Sequence, residues 1–182
     1  DYRLDNVIFH PSEARILGCL IEKQATTPET YPLTLNAVVI ACNQKTSRNP
    51  VIEASESDVV QAIDVLKGLW LVNEISGSRV SRFEHRLEKI LAIPTQASAL
   101  LTVLMLRGPQ TAGELRLTVM VDYNSPVLGT QHASMYRAEE FKDEIAPCRT
   151  FVFLRELEQL AKAGLIKGGD LNNAIVLEDR EG

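Results

Sequence analysis

Apolar side chains recur every three or four residues in SEARILGCLIEKQ (12–24), which puts Ile16, Leu17, Leu20 and Ile21 on one helical face with Ser12 as the expected cap. ATTPETYP breaks the pattern, because Pro28 and Pro32 push the residues before them out of the α region. LTLNAVVIACNQ resumes it, with Leu35, Val38, Val39 and Cys42 at helical spacing and Thr34 as the cap. A polar decapeptide, ACNQKTSRNP (41–50), follows. Ser55 or Ser57 then caps a third helix through Val59, Ala62, Ile63 and Leu66, and Leu69, Trp70 and Leu71 carry the apolar run onward. LVNEISGSRVSRFEHRL changes period and reads as a hairpin turning at Ser76-Gly77-Ser78.

Part of this order recurs about ninety residues later. Pro94, in EKILAIPTQ, marks a boundary. QASALLTVLMLRG reads as a helix ending at Gly108, and Thr111 with Glu114 forms the T-x-x-E capping box of the next one. A further helix runs through Leu154, Leu157, Leu160 and Ala161 to Gly164, followed by a second hairpin around GGDLNN. Helix, helix, helix, wing is the order of the winged-helix variant of helix-turn-helix architecture. The expected fold is therefore mainly α with small β wings (α+β), in tandem winged-helix domains at 1–94 and 95–182. The second carries an insertion at 117–150, too long for a simple connection between helices.

Bulk composition narrows the chemistry. The chain has 182 residues, 45% of them apolar and 24% charged, an ordinary globular balance. No apolar run approaches a membrane span and no signal-peptide pattern opens the chain, so a cytoplasmic protein with no membrane association is expected. Cys19, Cys42 and Cys148 are scattered without CxxC spacing, which fits reduced core thiols better than disulfides. His10, His85 and His132 are equally dispersed, and no metal or cofactor is expected. The net charge of −5 disfavours tight binding of nucleic acid through bulk charge alone, leaving local basic patches as the route.

Three stretches carry a family resemblance: LGCLIEKQATTPETYPLTLNAVVIACNQKTSRNPV (18–51), GSRVSRFEHRL (77–87) and LRGPQTAGELR (106–116). Together they resemble the YceH-like proteins, bacterial proteins of unknown function with a tandem winged-helix fold. The resemblance covers 12–116 and fades beyond Arg116. There the family pattern leads to a basic second wing, whereas this chain has Asp170, Glu178 and Asp179. The resemblance implies a fold and carries no catalytic or binding residues.

Two binding functions remain in view. In a DNA-binding winged helix the loop before the third helix and the wing touch phosphates. Lys45 and Arg48 lie in that loop and Arg79, Arg82 and Arg86 on the wing, so these five are the candidate nucleic-acid contacts for double-stranded DNA. The third helix argues the other way, since Asp58, Gln61, Asp64 and Lys67 should face outward. The alternative is a non-catalytic protein-interaction or dimerisation module, like the ScpB-like subunits of condensin complexes. Leu33, Val38 and Ile40 would then supply partner surface as readily as core, and a homodimer is the expected assembly. Catalysis is not expected: there is no GxSxG, P-loop, HExxH or dinucleotide fingerprint, and Glu139, Glu140, Asp143 and Glu144 read as a solvated helix face.

Overall fold

The computed structural model describes residues 10–77, 79–111, 114–115, 159–167 and 176–177. The insertion at 117–150, Leu154 and the GGDLNN turn lie outside them. The described residues are mostly helical with a small three-stranded antiparallel sheet, an α+β arrangement. In order they are α1 (Pro11–Thr26), β1 (Leu33–Thr34), α2 (Leu35–Cys42), α3 (Glu56–Gly68), β2 (Val72–Ser76), β3 (Ser81–His85), α4 (Leu87–Leu91), α5 (Thr95–Arg107), β4 (Ile166–Lys167) and β5 (Val176–Leu177).

Helix α1 is the centre of the fold. Its residues from Glu13 to Ile21, and Glu22 after them, are all buried, so it is enclosed on every side rather than lying on a surface. It packs on α2, α3 and β3, and it also packs on α5. The contact with α5 is close because residue 18 is glycine: a Cβ there would lie 2.8 Å from Leu106 Cγ. One continuous apolar core therefore runs from Ile16, Leu17 and Leu20 through Val59, Ile63 and Leu66 to Leu100, Val103 and Leu104.

Local capping accounts for most boundaries. His10, not Ser12, caps α1: its ring accepts from the Ser12 N–H while Glu13 accepts from the His10 N–H, and Pro11 fits the first turn because it needs no donor there. Thr34 caps α2, and Ser55 caps α3 in a reciprocal pair with Asp58. The Thr111–Glu114 capping box is formed, through backbone bonds of 2.9 and 3.3 Å. Where the sequence suggested only a linker, Leu87 and Leu91 drop into the core and draw 87–91 into the short helix α4.

The sheet has the order β1-β3-β2. Leu33 pairs with Phe83 and Thr34 with Arg82, while Val72 to Ser76 run against His85 to Ser81. The last pair of the hairpin is Ser76 with Ser81, so four residues separate its strands where a three-residue turn was expected. A second ribbon pairs Ile166 with Leu177 and Lys167 with Val176.

Two helix ends are built alike. After α3, the Leu71 N–H donates to Leu66 O and the Trp70 N–H to Lys67 O, which is a Schellman cap, and Val72 opens a strand. Leu165 donates to Leu160 O and Gly164 to Ala161 O in the same pattern, and Ile166 opens a strand. The left-handed position is glycine in the second cap, at φ 72°, but Trp70 in the first, at φ 62°.

Candidate nucleic-acid interface

The polar decapeptide is mostly an internal strut. The α2–α3 connection that holds it is pinched by one amide: Asn43 Nδ2 donates to Ala54 O at 2.9 Å, and Ala54 N–H donates to Asn43 Oδ1 at 2.7 Å. Beneath it lie two arginines. Arg15 on α1 donates to Cys42 O at 3.0 Å and to Pro50 O at 2.6 Å. Arg48 donates from Nε to Ala41 O at 3.1 Å and through both terminal nitrogens to Glu22, at 2.9 and 2.7 Å. Both guanidiniums thereby meet the carbonyls at the C-terminal end of α2, where positive charge complements the helix dipole. The far side of the loop is tied to α5, with the Asn49 N–H donating to Leu106 O at 2.8 Å and Arg107 to Ser47 Oγ at 3.1 Å.

This geometry separates the five candidate cations. Arg48 is 6% exposed, and its guanidinium is occupied by Glu22 and two backbone carbonyls. It holds the loop's shape and does not sit on a solvent-facing edge. The sequence could not distinguish it from Lys45, because its partner is 26 residues away on another helix. Lys45 stands exposed at the loop apex, and Arg79 is exposed in the turn beyond the Ser76–Ser81 pair. Neither makes an ion pair among the described residues.

Arg82 is exposed on β3, but it is tethered by a 2.8 Å bond to Pro32 O. It lies opposite Thr34, the residue that starts α2, whereas Lys45 follows the other end of that helix. Eight helical residues, about 12 Å of rise, separate the two ends. Arg86 is half-buried at the root of the hairpin, where its N–H donates to Leu71 O at 2.7 Å. Arg79 is at the hairpin's tip, so the two wing ends are five paired residues apart, roughly 17 Å. The freely presented charges are therefore Lys45 and Arg79, while Arg82 is exposed but tethered.

Asp58, Gln61 and Asp64 face solvent on α3, as their spacing suggested, and Lys67 is paired with Glu74 of β2. Hydrogen bonds from Ser55 hold the Asp58 carboxyl below its ordinary range, so it carries full negative charge on that face. The apolar expectations divide: Leu33 and Val38 are core, while Ile40 is 64% exposed. Val51, Val65, Trp70 and Val80 are also exposed. Trp70 was missed because an apolar run ordinarily signals burial, and only its left-handed backbone turns it outward.

Among the described residues, no helix is long and apolar enough to cross a membrane, and no group of three or more His, Cys, Asp or Glu is placed to hold a metal ion.

Comparison with known proteins gives a family. The model of a protein family of unknown function, DUF480, matches residues 9–124, and the chain belongs to that family. Over 105 residues it is 73% identical to a UPF0502 protein of Dechloromonas aromatica, covering 58% of this chain and 49% of that protein. Over 136 residues it is 57% identical to a UPF0502 protein of Burkholderia pseudomallei (strain 668), covering 75% and 55% of the two chains. A UPF0502 protein of Cupriavidus necator is 53% identical over 136 residues, covering 75% and 53%. The chain thus spans about half the length of the curated relatives it matches. A second family model, UDP-3-O-acyl N-acetylglycosamine deacetylase, makes a weak and partial match at residues 72–182, much of it outside the described residues.

Proposed function

We propose that this DUF480-family chain is a non-catalytic winged-helix protein that touches the phosphate backbone of double-stranded DNA through the apex of its α2–α3 loop and its β2–β3 wing. The observation that carries the reading is the topology. A helix, a short strand, two helices and a hairpin, joined in a sheet of order β1-β3-β2, supports a winged-helix reading, and Lys45 and Arg79 are exposed loop and wing cations without an ion pair among the described residues. The tandem form of the fold is supported by the shared Schellman cap and following strand at Leu66–Val72 and Leu160–Ile166.

Arg82 and Arg86 belong to the same wing and add charge near its middle and root. Arg48 belongs to the scaffold of the loop. With Asp58 and Asp64 on α3, sequence-specific reading of the major groove is weak, and phosphate contacts carry the affinity. Such binding is modest and steeply salt-dependent, each phosphate contact contributing about 0.9 to the slope of log K against log salt. Fluorescence anisotropy with a labelled duplex across a salt series tests it. Binding at low salt that weakens in Lys45→Ala and Arg79→Ala supports the reading, and no binding at the lowest salt refutes it.

A second reading rests on the exposed apolar side chains. Ile40, Val51, Val65 and Trp70 offer contact area that DNA phosphates do not use, which favours a protein-interaction or dimerisation module of the ScpB-like kind. Light scattering on the full-length protein separates the two: concentration-dependent dimerisation that Trp70→Ser abolishes would favour this second function.

A further inference from the structure

Arg15, Cys19 and Glu22 fall at i, i+4 and i+7 on α1, one face of the helix. That face meets the C-terminal end of α2. Arg15 donates to the carbonyl of Cys42, the last residue of α2, and Arg48 reaches the carbonyl before it. Cys42 is thereby held over the Arg15–Cys19 turn. Both cysteines are free and buried, at 0% and 1% exposure, and their side chains adjoin.

The frame around them is unbalanced. Arg15, Arg48 and Glu22 are all buried, two cations against one carboxylate, and Arg48 takes both oxygens of that carboxylate. Arg15 is left with backbone carbonyls, and its buried Nε has no hydrogen-bond partner. A buried donor without an acceptor asks for a compensating group, and an anion at Cys19 supplies the missing charge.

We propose that Cys19 and Cys42 form an oxidisable dithiol, converted by hydroperoxides to an intramolecular disulfide between α1 and α2. The Cys19 thiolate attacks a peroxide oxygen, the O–O bond breaks, and sulfenic acid forms as hydroxide leaves. Cys42 then attacks that sulfur and displaces a second hydroxide, the S–S bond forms, and the two thiol protons complete two waters. The dithiol loses two electrons and hydrogen peroxide gains them. The order of attack follows the ionisation of the pair. Interaction with the adjoining Cys42 side chain, with help from Arg48 and against burial, lowers the Cys19 pKa, while the same interaction and burial raise that of Cys42. Neither thiol is exposed, so the reaction requires local opening of the polar loop that follows α2.

The experiment uses the full chain, as wild type and as Cys148→Ser, treated with hydrogen peroxide under conditions where circular dichroism shows it folded. Unreduced peptide mapping is expected to find one disulfide joining the Cys19 and Cys42 peptides, within a monomer and reversed by dithiothreitol. Arg15→Gln is expected to slow its formation modestly, since Arg15 adds a minor stabilisation of the Cys19 thiolate beside Cys42 and Arg48. Thiols that remain fully alkylatable once the treated protein is unfolded would overturn the proposal. So would a sulfinic acid without a cross-link, or pairing with Cys148 or a second molecule. An unchanged rate in folded Arg15→Gln would overturn the role given to the arginine.

Discussion

Arg48 and Glu22 meet in a two-point bond, both terminal nitrogens of the guanidinium on both oxygens of the carboxylate, at 2.9 and 2.7 Å. The pair joins the polar loop to the central helix, out of reach of a solvent ion. Removing one partner leaves the other buried and charged, so Arg48→Met or Glu22→Leu is expected to cost about 3–5 kcal/mol in urea denaturation, and the double substitution much less. The pair also sets a pH dependence. Burial alone would raise the Glu22 pKa, but the bonds and charge of Arg48, with Lys23, bring it below the ordinary value on balance. The stabilisation is therefore complete above the unfolded carboxylate pKa and lost as pH falls through the depressed one. Glu22→Gln should flatten the acid side of the stability curve.

Gly18 decides how closely α1 approaches α5. A Cβ there would lie 2.8 Å from two atoms of Leu106, in a core with little room to yield. Gly18→Ala is expected to lower stability by about 1–3 kcal/mol despite its better helix propensity, because overpacking outweighs the propensity gain. Leu106→Ala in the same chain should recover part of the loss if the contact is the cause.

Most elements were legible in the chain, and the reasons they were are local. Thr34 and Ser55 announce their helices because capping needs only a side chain and a backbone N–H three residues on. The hairpin shows itself through its change of period. His10 was missed as a cap because its ring mimics an Asx side chain only in the conformation it adopts beside Ser12. The site was less legible. Lys45 and Arg48 look alike in a polar loop, and only the long-range partner Glu22 separates a surface cation from a buried one. Strand β1 is two residues long, too short to carry any period.

Trp70 occupies a left-handed position that its counterpart fills with Gly164. A bulky residue there costs about 1–2 kcal/mol relative to the ordinary helical conformation. The ring is 57% exposed, so packing offsets little of that cost. Trp70→Gly is expected to leave stability unchanged or raise it, as read by the thermal midpoint. A large destabilisation would mean that the indole packs in a way its exposure conceals.

The wing arginines should separate in a salt titration. Arg79 is exposed at the tip without an ion pair among the described residues, whereas Arg82 is bonded to Pro32 O at 2.8 Å. If the wing tip meets phosphate, Arg79→Ala should reduce the slope of log K against log salt by about one for any duplex sequence. Arg82→Ala should change that slope less and loosen the β1–β3 edge, seen as faster amide exchange at Thr34 and Arg82.

His85 supplies a second acid-sensitive element, independent of Glu22. Its ring bonds Gln24 Oε1 at 2.6 Å through Nε2, its buried Nδ1 has no partner, and its N–H donates to the Tyr31 hydroxyl at 2.8 Å. Gln24 Oε1 is an acceptor, so Nε2 carries a proton, and burial with Nδ1 unpartnered favours the neutral ring. Burial brings the pKa down to about 4, with Glu84 opposing the shift. Between the ordinary value near 6.5 and about 4, the unfolded chain binds a proton that the folded chain does not. Stability from this group is thus fully present above about pH 6.5 and declines as the pH falls toward 4. An NMR titration of the His85 ring in the folded protein should show no protonation until the pH approaches 4. His85→Gln, which keeps a donor for Gln24, should remove the decline between pH 6.5 and 4 while leaving the Glu22 limb at lower pH in place. A ring that titrates at its ordinary value would show that water reaches Nδ1.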